Sequence, residues 1–232
     1  MFEGKRITVI IPMLNEADAI QKVLADIPEW VDEVITVDNG STDDSIKQAE
    51  EAGARVLEEP VRGYGKACLT GIAAANNPDI IVFIDGDYSD YPEEMDSLVR
   101  PIVSGEAEMV IGSRVLGERE KGALTPQARF GNWLSCLLIR WIWGYRFTDL
   151  GPFRAIRFDS LKRMKMRDEN YGWTVEMQIK AARLKIPSLE VPVRYRKRIG
   201  KSKVSGTVKG VVLAGSKILW TIFRAALSGS KV

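Results

Sequence analysis

Along the first half of the chain, short runs of aliphatic and β-branched residues alternate with longer stretches in which apolar positions recur at helical spacing. The runs predict strands over 7–11, 33–37, 55–57, 80–84 and 109–111. The stretches between them predict helices over 17–27, 44–52, 66–75 and 93–103. Gly53 closes the second of these helices, and Pro92 suits the first turn of the fourth. Strands that alternate with helices in this way form a mostly parallel sheet covered on both faces. The expected class is therefore α/β, a Rossmann-like sheet flanked by helices.

The second half reads differently. A loop is expected over 117–125, then an aromatic, apolar stretch over 130–147, a short strand over 153–156, a helix over 174–184 and a strand over 189–195. A basic loop over 196–203 leads into a last helix over 208–227. The expected division is a catalytic domain over 1–206 and an amphipathic helical segment over 207–232. No internal repeat is visible.

In a sheet of this kind ligands bind beyond the carboxyl ends of the strands. The polar clusters of the sequence fall there, at 12–16, 38–43, 85–87 and 112–114. The sharpest is Asp85-Gly86-Asp87. Two carboxylates one residue apart on a chain leaving a strand can share a divalent cation, and the glycine between them lets a phosphate approach. Mg²⁺ or Mn²⁺ held there would neutralise a diphosphate leaving group. The plainer reading is a solvated Asp-Gly turn. Asp38-Asn39-Gly40-Ser41-Thr42-Asp43 and Pro12-Met13-Leu14-Asn15-Glu16 supply carboxylates and amides suited to a ribose or base.

These three segments resemble the inverting family 2 glycosyltransferases of GT-A fold, which carry a P-x-x-N-E turn, a D-x-G-S-x-D turn and a D-x-D metal site in this order. Gly112-Ser113-Arg114, then 148–154, then Gly200-Lys201-Ser202-Lys203 are similar to the branch containing dolichyl-phosphate mannose synthases and polyprenyl-phosphate glucose synthases. The resemblance implies that a hexose passes, with inversion, from a nucleoside diphosphate sugar to a polyprenyl or dolichyl phosphate. It assigns Pro12, Asn15, Glu16 and Asp38 to the nucleotide, Asp85 and Asp87 to the metal, and Arg114, Arg198 and Lys203 to phosphate charge. Asn39 stands where many relatives have a second Asp, Leu14 where Tyr is common, and Gly151-Pro152 where Ser-Gly is usual. The first two lie in the nucleotide pocket and leave the donor open between GDP-mannose and UDP-glucose, and the third lies near the acceptor side and leaves the acceptor open. In Gly63-Tyr64-Gly65-Lys66, Lys66 is a further phosphate candidate, although the segment lacks a P-loop pattern and equally reads as a helix start.

Composition narrows the chemistry. The 232 residues contain no histidine, which excludes histidine bases and histidine-bound zinc. The two cysteines, Cys68 and Cys136, lie far apart in helical stretches and give no disulfide framework. A net charge of +2 is too even for a nucleic-acid binder. A lipid phosphate with a second pKa of about 6 is already a nucleophile near neutral pH and needs no strong base. A hydroxyl acceptor would need one, and Asp149 is the candidate, with Glu176 behind it. A non-catalytic adaptor on the same scaffold is the alternative of another class, against which the intact acid pair speaks.

No stretch reaches the ~20 apolar residues of a spanning helix, and no secretory signal is evident. A cytoplasmic protein, peripheral on the cytoplasmic face of a membrane, is expected. Trp133, Trp141 and Trp143 cluster within eleven positions, as at a water-lipid boundary. On the last helix Val211, Val212, Ile218, Leu219, Ile222, Phe223 and Ala226 share one side, opposite Lys209, Lys217 and Arg224. Core or subunit packing is the plainer reading of both segments. A membrane-protein partner and a homo-oligomer remain open.

Overall fold

The computed structural model describes residues 1–200 and 208–227. The chain runs β1 (Ile7–Met13), α1 (Ile20–Ala25), β2 (Glu33–Asp38), α2 (Ser45–Glu51), β3 (Arg55–Glu58), α3 (Tyr64–Ala74) and β4 (Ile80–Phe83). A short 3₁₀ turn (Pro92–Glu94) leads into α4 (Met95–Val103) and β5 (Met109–Ser113). Then follow α5 (Pro126–Trp143), β6 (Arg154–Arg157), α6 (Phe158–Met164), α7 (Trp173–Leu184), β7 (Ser188–Pro192) and α8 (Val208–Leu227). The strands among these residues form one sheet in the order β3-β2-β1-β4-β6-β5-β7.

Strand β1 pairs in parallel with both β2 and β4. Strand order therefore reverses at β1, and the chain leaves the sheet in opposite directions after β1 and β4, which opens a crevice at their carboxyl ends. β6 runs antiparallel between β4 and β5, while β5 and β7 are parallel. The apolar runs are continuous because both faces are covered. Val9 and Ile11 of β1 join one core cluster with Val23 and Leu98, whereas Ile10 joins the other with Phe83 and Trp173. Trp173 is fully buried and meets Phe83 edge-on, with ring centroids 5.8 Å apart.

Three differences from the sequence reading have local causes. Helix α1 begins at Ile20 rather than near residue 17, because the amides of Ala19 and Ile20 turn back to the Glu16 carbonyl and close a turn first. Helix α6 was not expected; its seven residues span two turns, too few for a helical period to stand out. The broad apolar side of α8 is divided. Ile218 and Ile222 pack into the core beside α5 and α7, while Val212, Leu213, Trp220, Phe223 and Leu227 remain exposed.

Helix α5 begins on an explicit cap. The Thr125 hydroxyl accepts from the Ala128 amide at 3.2 Å, Pro126 takes the first position, and Gly144 ends the helix at φ 72°. Both cysteines are free and buried. No helix among the described residues is long and apolar enough to cross a membrane.

Candidate active site

A cavity of about 300 Å³ lies at the carboxyl ends of β1 and β4. Pro12 and Glu16 reach it from β1, Asn39 from β2, and Asp85, Gly86 and Asp87 from β4. Arg62, Tyr64, Tyr171 and Arg198 close it from other segments. Residues distant in sequence thus share one concavity, as the switch point requires.

The turns behind this cavity are tied to each other. Asn15, at φ 52°, donates its amide to the Ser41 hydroxyl at 2.8 Å, and its side-chain oxygen accepts from the Thr42 amide at 2.7 Å. Asp38 accepts the amides of Gly40 and Ser41, both at 2.9 Å. Both residues, assigned to the nucleotide by the resemblance, shape the two turns, because short polar side chains close local backbone bonds at such bends. Asn39 does line the cavity, and it also clamps the 59–63 segment through bonds to the Glu59 and Val61 carbonyls and the Gly63 amide.

Lys66 points elsewhere. Its ammonium lies 3.3 Å from Glu169, and a Cβ on Gly63 or Gly65 would collide with the backbone of Glu169 or Asp168. The glycines of this segment therefore serve close packing of two chain segments rather than a phosphate cradle.

At the acid pair, the Tyr64 hydroxyl donates to Asp85 Oδ1 at 2.9 Å. Burial, then the charge of Asp87, raises the Asp85 carboxyl from 3.8 to about 7. Asp87 accepts from the Ser89 amide at 2.9 Å and the Ser89 hydroxyl at 2.5 Å through Oδ1, and its Oδ2 lies 3.0 Å from the Arg198 guanidinium. Arg198 also reaches Glu16 at 2.7 Å. Among the described residues no cluster of three or more carboxylate or thiolate side chains forms a ready-made metal cage. Two carboxylates facing an open cavity suit Mg²⁺ or Mn²⁺, which takes its other positions from substrate phosphates and water. Tyr64 carries no pattern that marks it for this contact, whereas Glu16 closes the P-x-x-N-E turn that follows β1.

A second group lies at the end of β5. Arg114 holds Asp149 by a fork, Nε to Oδ2 at 2.8 Å and an Nη to Oδ1 at 2.7 Å, and adds its own amide at 2.8 Å. Asp149 is fully buried, so its carboxylate orients Arg114 and is not presented as a free base. Arg114 also faces the Tyr195 ring, with its centroid 5.1 Å away. Behind them the buried Arg154 donates to the Leu150 and Gly151 carbonyls and to that of Thr174 at 3.1 Å, which fixes the 149–151 turn. Burial lowers the Arg154 guanidinium to about 10. Glu176 accepts the Arg167 and Asp168 amides and pairs with Lys180 at 2.8 Å, away from the cavity. Lys203 lies outside the described residues.

A third feature adjoins this group. A cavity of about 640 Å³ is lined by Leu124, Phe130, Trp133, Leu137 and Phe147, with Arg119, Arg129 and Arg140 among its walls. Val115 and Thr148, the chain neighbours of Arg114 and Asp149, also line it.

A doubly covered sheet with a crevice and an acid pair at its switch point is an arrangement able to take a diphosphate together with a divalent ion. The chain belongs to Glycosyl transferase family 2, which matches residues 8–165. It is 35% identical over 213 residues to an uncharacterized glycosyltransferase of Mycobacterium tuberculosis, covering 91% of this chain and 95% of that one. It is 32% identical to the dolichyl-phosphate hexose transferase of Haloferax volcanii, over 90% of this chain and 91% of the relative. Among solved structures it is similar to glucosyl-3-phosphoglycerate synthase from Mycobacterium tuberculosis in complex with Mn²⁺, UDP-glucose and phosphoglyceric acid. That match has a TM-score of 0.76 and 25% identity, and covers 96% of this chain and 80% of the other. The expected GT-A fold and glycosyltransferase class are borne out.

Proposed function

We propose that the protein moves a hexose from a nucleoside diphosphate sugar onto a polyprenyl phosphate at a membrane surface, with inversion. The observation that carries this reading is the pairing of two cavities of opposite character. One is polar and holds Asp85 and Asp87; the other is apolar, edged with arginines, and shares its walls with the neighbours of Arg114 and Asp149. An amphiphile with a phosphate head suits the second, as a diphosphate suits the first. The 32% identical relative is named a dolichyl-phosphate hexose transferase, which supports the same acceptor class.

Asp85 and Asp87 would hold Mg²⁺ or Mn²⁺, and the ion would offset charge on the departing diphosphate. Pro12, Glu16 and Asn39 would line the nucleotide. Arg114, held rigid by Asp149, would dock the acceptor phosphate, whose oxyanion attacks without help from a base. A hydroxyl acceptor would need a free carboxylate, and the bidentate bond to Arg114 leaves Asp149 poorly suited to that role. Arg198 and Lys203 would add phosphate charge.

The test is direct. Incubation with labelled GDP-mannose or UDP-glucose, Mn²⁺ and polyprenyl phosphate should carry label into the organic phase, and Asp87→Ala should lower that transfer by about 10² or more. Label that appears only on a hydroxyl acceptor, or full activity in Asp87→Ala, refutes the reading.

A further inference from the structure

Arg198 occupies the place where a cation is wanted. Its two terminal nitrogens reach Asp87 Oδ2 at 3.0 Å and Glu16 Oε1 at 2.7 Å, and its side chain is 24% exposed. The other oxygen of Asp87 is already taken by Ser89, so the oxygen facing Arg198 is the one left for an incoming ion.

The main chain beneath Arg198 is held independently of this contact. The Ile199 amide donates to the Asp87 carbonyl at 3.0 Å, and the Arg196 amide to the Ser89 carbonyl at 2.9 Å. The Arg196 guanidinium donates to the Tyr88 and Asp90 carbonyls and lies over the rings of Tyr88 and Tyr91. The Lys197 amide donates to Glu120 at 2.9 Å. With three backbone amides of this segment bonded and the Arg196 side chain anchored beside them, the Arg198 side chain can change partner by rotation alone. No loop movement is needed.

We propose that Arg198 is the internal counter-ion of the acid site in the ligand-free enzyme, releasing Asp87 to a divalent cation when a diphosphate arrives to accept the guanidinium. This rests on the metal role given to Asp85 and Asp87 above. A guanidinium and a divalent ion at Asp87 repel each other, so binding of the ion alone must break the Arg198–Asp87 pair and leave Arg198 on Glu16 with no new acceptor gained. A nucleoside diphosphate changes that balance, because its phosphates accept both cations. Metal and nucleotide therefore bind with positive coupling, and each tightens the other by the same factor. The device keeps the buried carboxylates neutralised between turnovers and discourages a bare metal ion from filling the site without donor.

The experiment is a Mn²⁺ titration followed by the electron paramagnetic resonance signal of the free ion, without nucleotide and with UDP or GDP in turn. Wild type, Arg198→Gln, Arg198→Ala and Arg198→Lys are compared after thermal melts establish that each is folded. Without nucleotide, the Gln and Ala variants are expected to bind Mn²⁺ about tenfold more tightly than wild type, and the Lys variant, which keeps the charge, to stay near wild type. One of the two nucleotides should tighten Mn²⁺ binding to wild type within the roughly 5- to 150-fold span of coupled sites, and by a smaller factor in the two neutral variants. Nucleotide-free affinity in Gln and Ala equal to or weaker than wild type overturns the counter-ion role while leaving the metal site standing. Absence of Mn²⁺ binding to wild type with UDP and with GDP alike overturns both.

Discussion

Two carboxylates brought together and stripped of water cost free energy, and the cost appears as a raised affinity for protons. Asp85 pays it here, with its carboxyl moved from 3.8 to about 7 by burial and by Asp87. Between those values the folded chain holds a proton that the unfolded chain has released, so this group's contribution to stability is full at low pH and is lost as pH rises through about 7. Thermal melts without metal should therefore show a fall in stability from about pH 4 to about pH 7 that Asp85→Asn removes. Identical pH slopes in the two proteins would contradict the assignment. The acid pair itself was legible in sequence, because D-x-D after an apolar run is a compact local signal. Its partners were not: Tyr64, at the start of α3, and Arg198, in a basic loop, arrive from 21 and 111 positions away with no diagnostic spacing, and only folding brings them together. The same limit explains Asn15 and Asp38, whose residue types fit a nucleotide and a turn equally well.

Among the elements, the strands were the most readable, since continuous β-branched runs point to a sheet covered on both sides. The direction of β6 was not readable, because a four-residue strand carries no mark of parallel or antiparallel pairing. Helices α5 and α8 show how periodicity can suggest two destinations at once. They lie against each other, Cys136 and Ile139 of α5 and Ile222 of α8 are buried, and yet Trp133, Trp141, Trp220 and Phe223 stay exposed. Each helix thus has an inner apolar side that meets the core and an outer apolar edge that meets solvent. Arg129, Arg140 and Arg224 are exposed on the same two helices, which gives the outer edge the composition of an interfacial surface. Changing Trp133 and Trp141 together to Ser should leave the melting temperature nearly unchanged, since both are exposed, while weakening partition onto anionic vesicles roughly tenfold or more. Flotation with phosphatidylglycerol vesicles reads this out; equal recovery of variant and wild type would remove the membrane role of α5.

For the molecule as a whole, the consequence of building the site from three strand ends and a distant basic segment is that ligands should act as cross-links. Pro12, Asn39, Asp87 and Arg198 stand on separate segments around one cavity, and unfolding disperses all of them. A donor analogue that binds only the assembled cavity must raise the stability of the entire chain, by about 2.7 kcal/mol when present at 100 times its dissociation constant. For a chain of this size each kcal/mol corresponds to about 2–4 °C, so a shift of roughly 5–10 °C is expected with UDP and Mn²⁺ together. UDP alone should give less, because the diphosphate then meets Asp85 and Asp87 without an ion to offset their charge. Comparing UDP with GDP in the same scan identifies the donor base, the property that Leu14 and Asn39 left open in the sequence. A melting temperature indifferent to both nucleotides in the presence of Mn²⁺ would mean that this cavity is not where the donor binds.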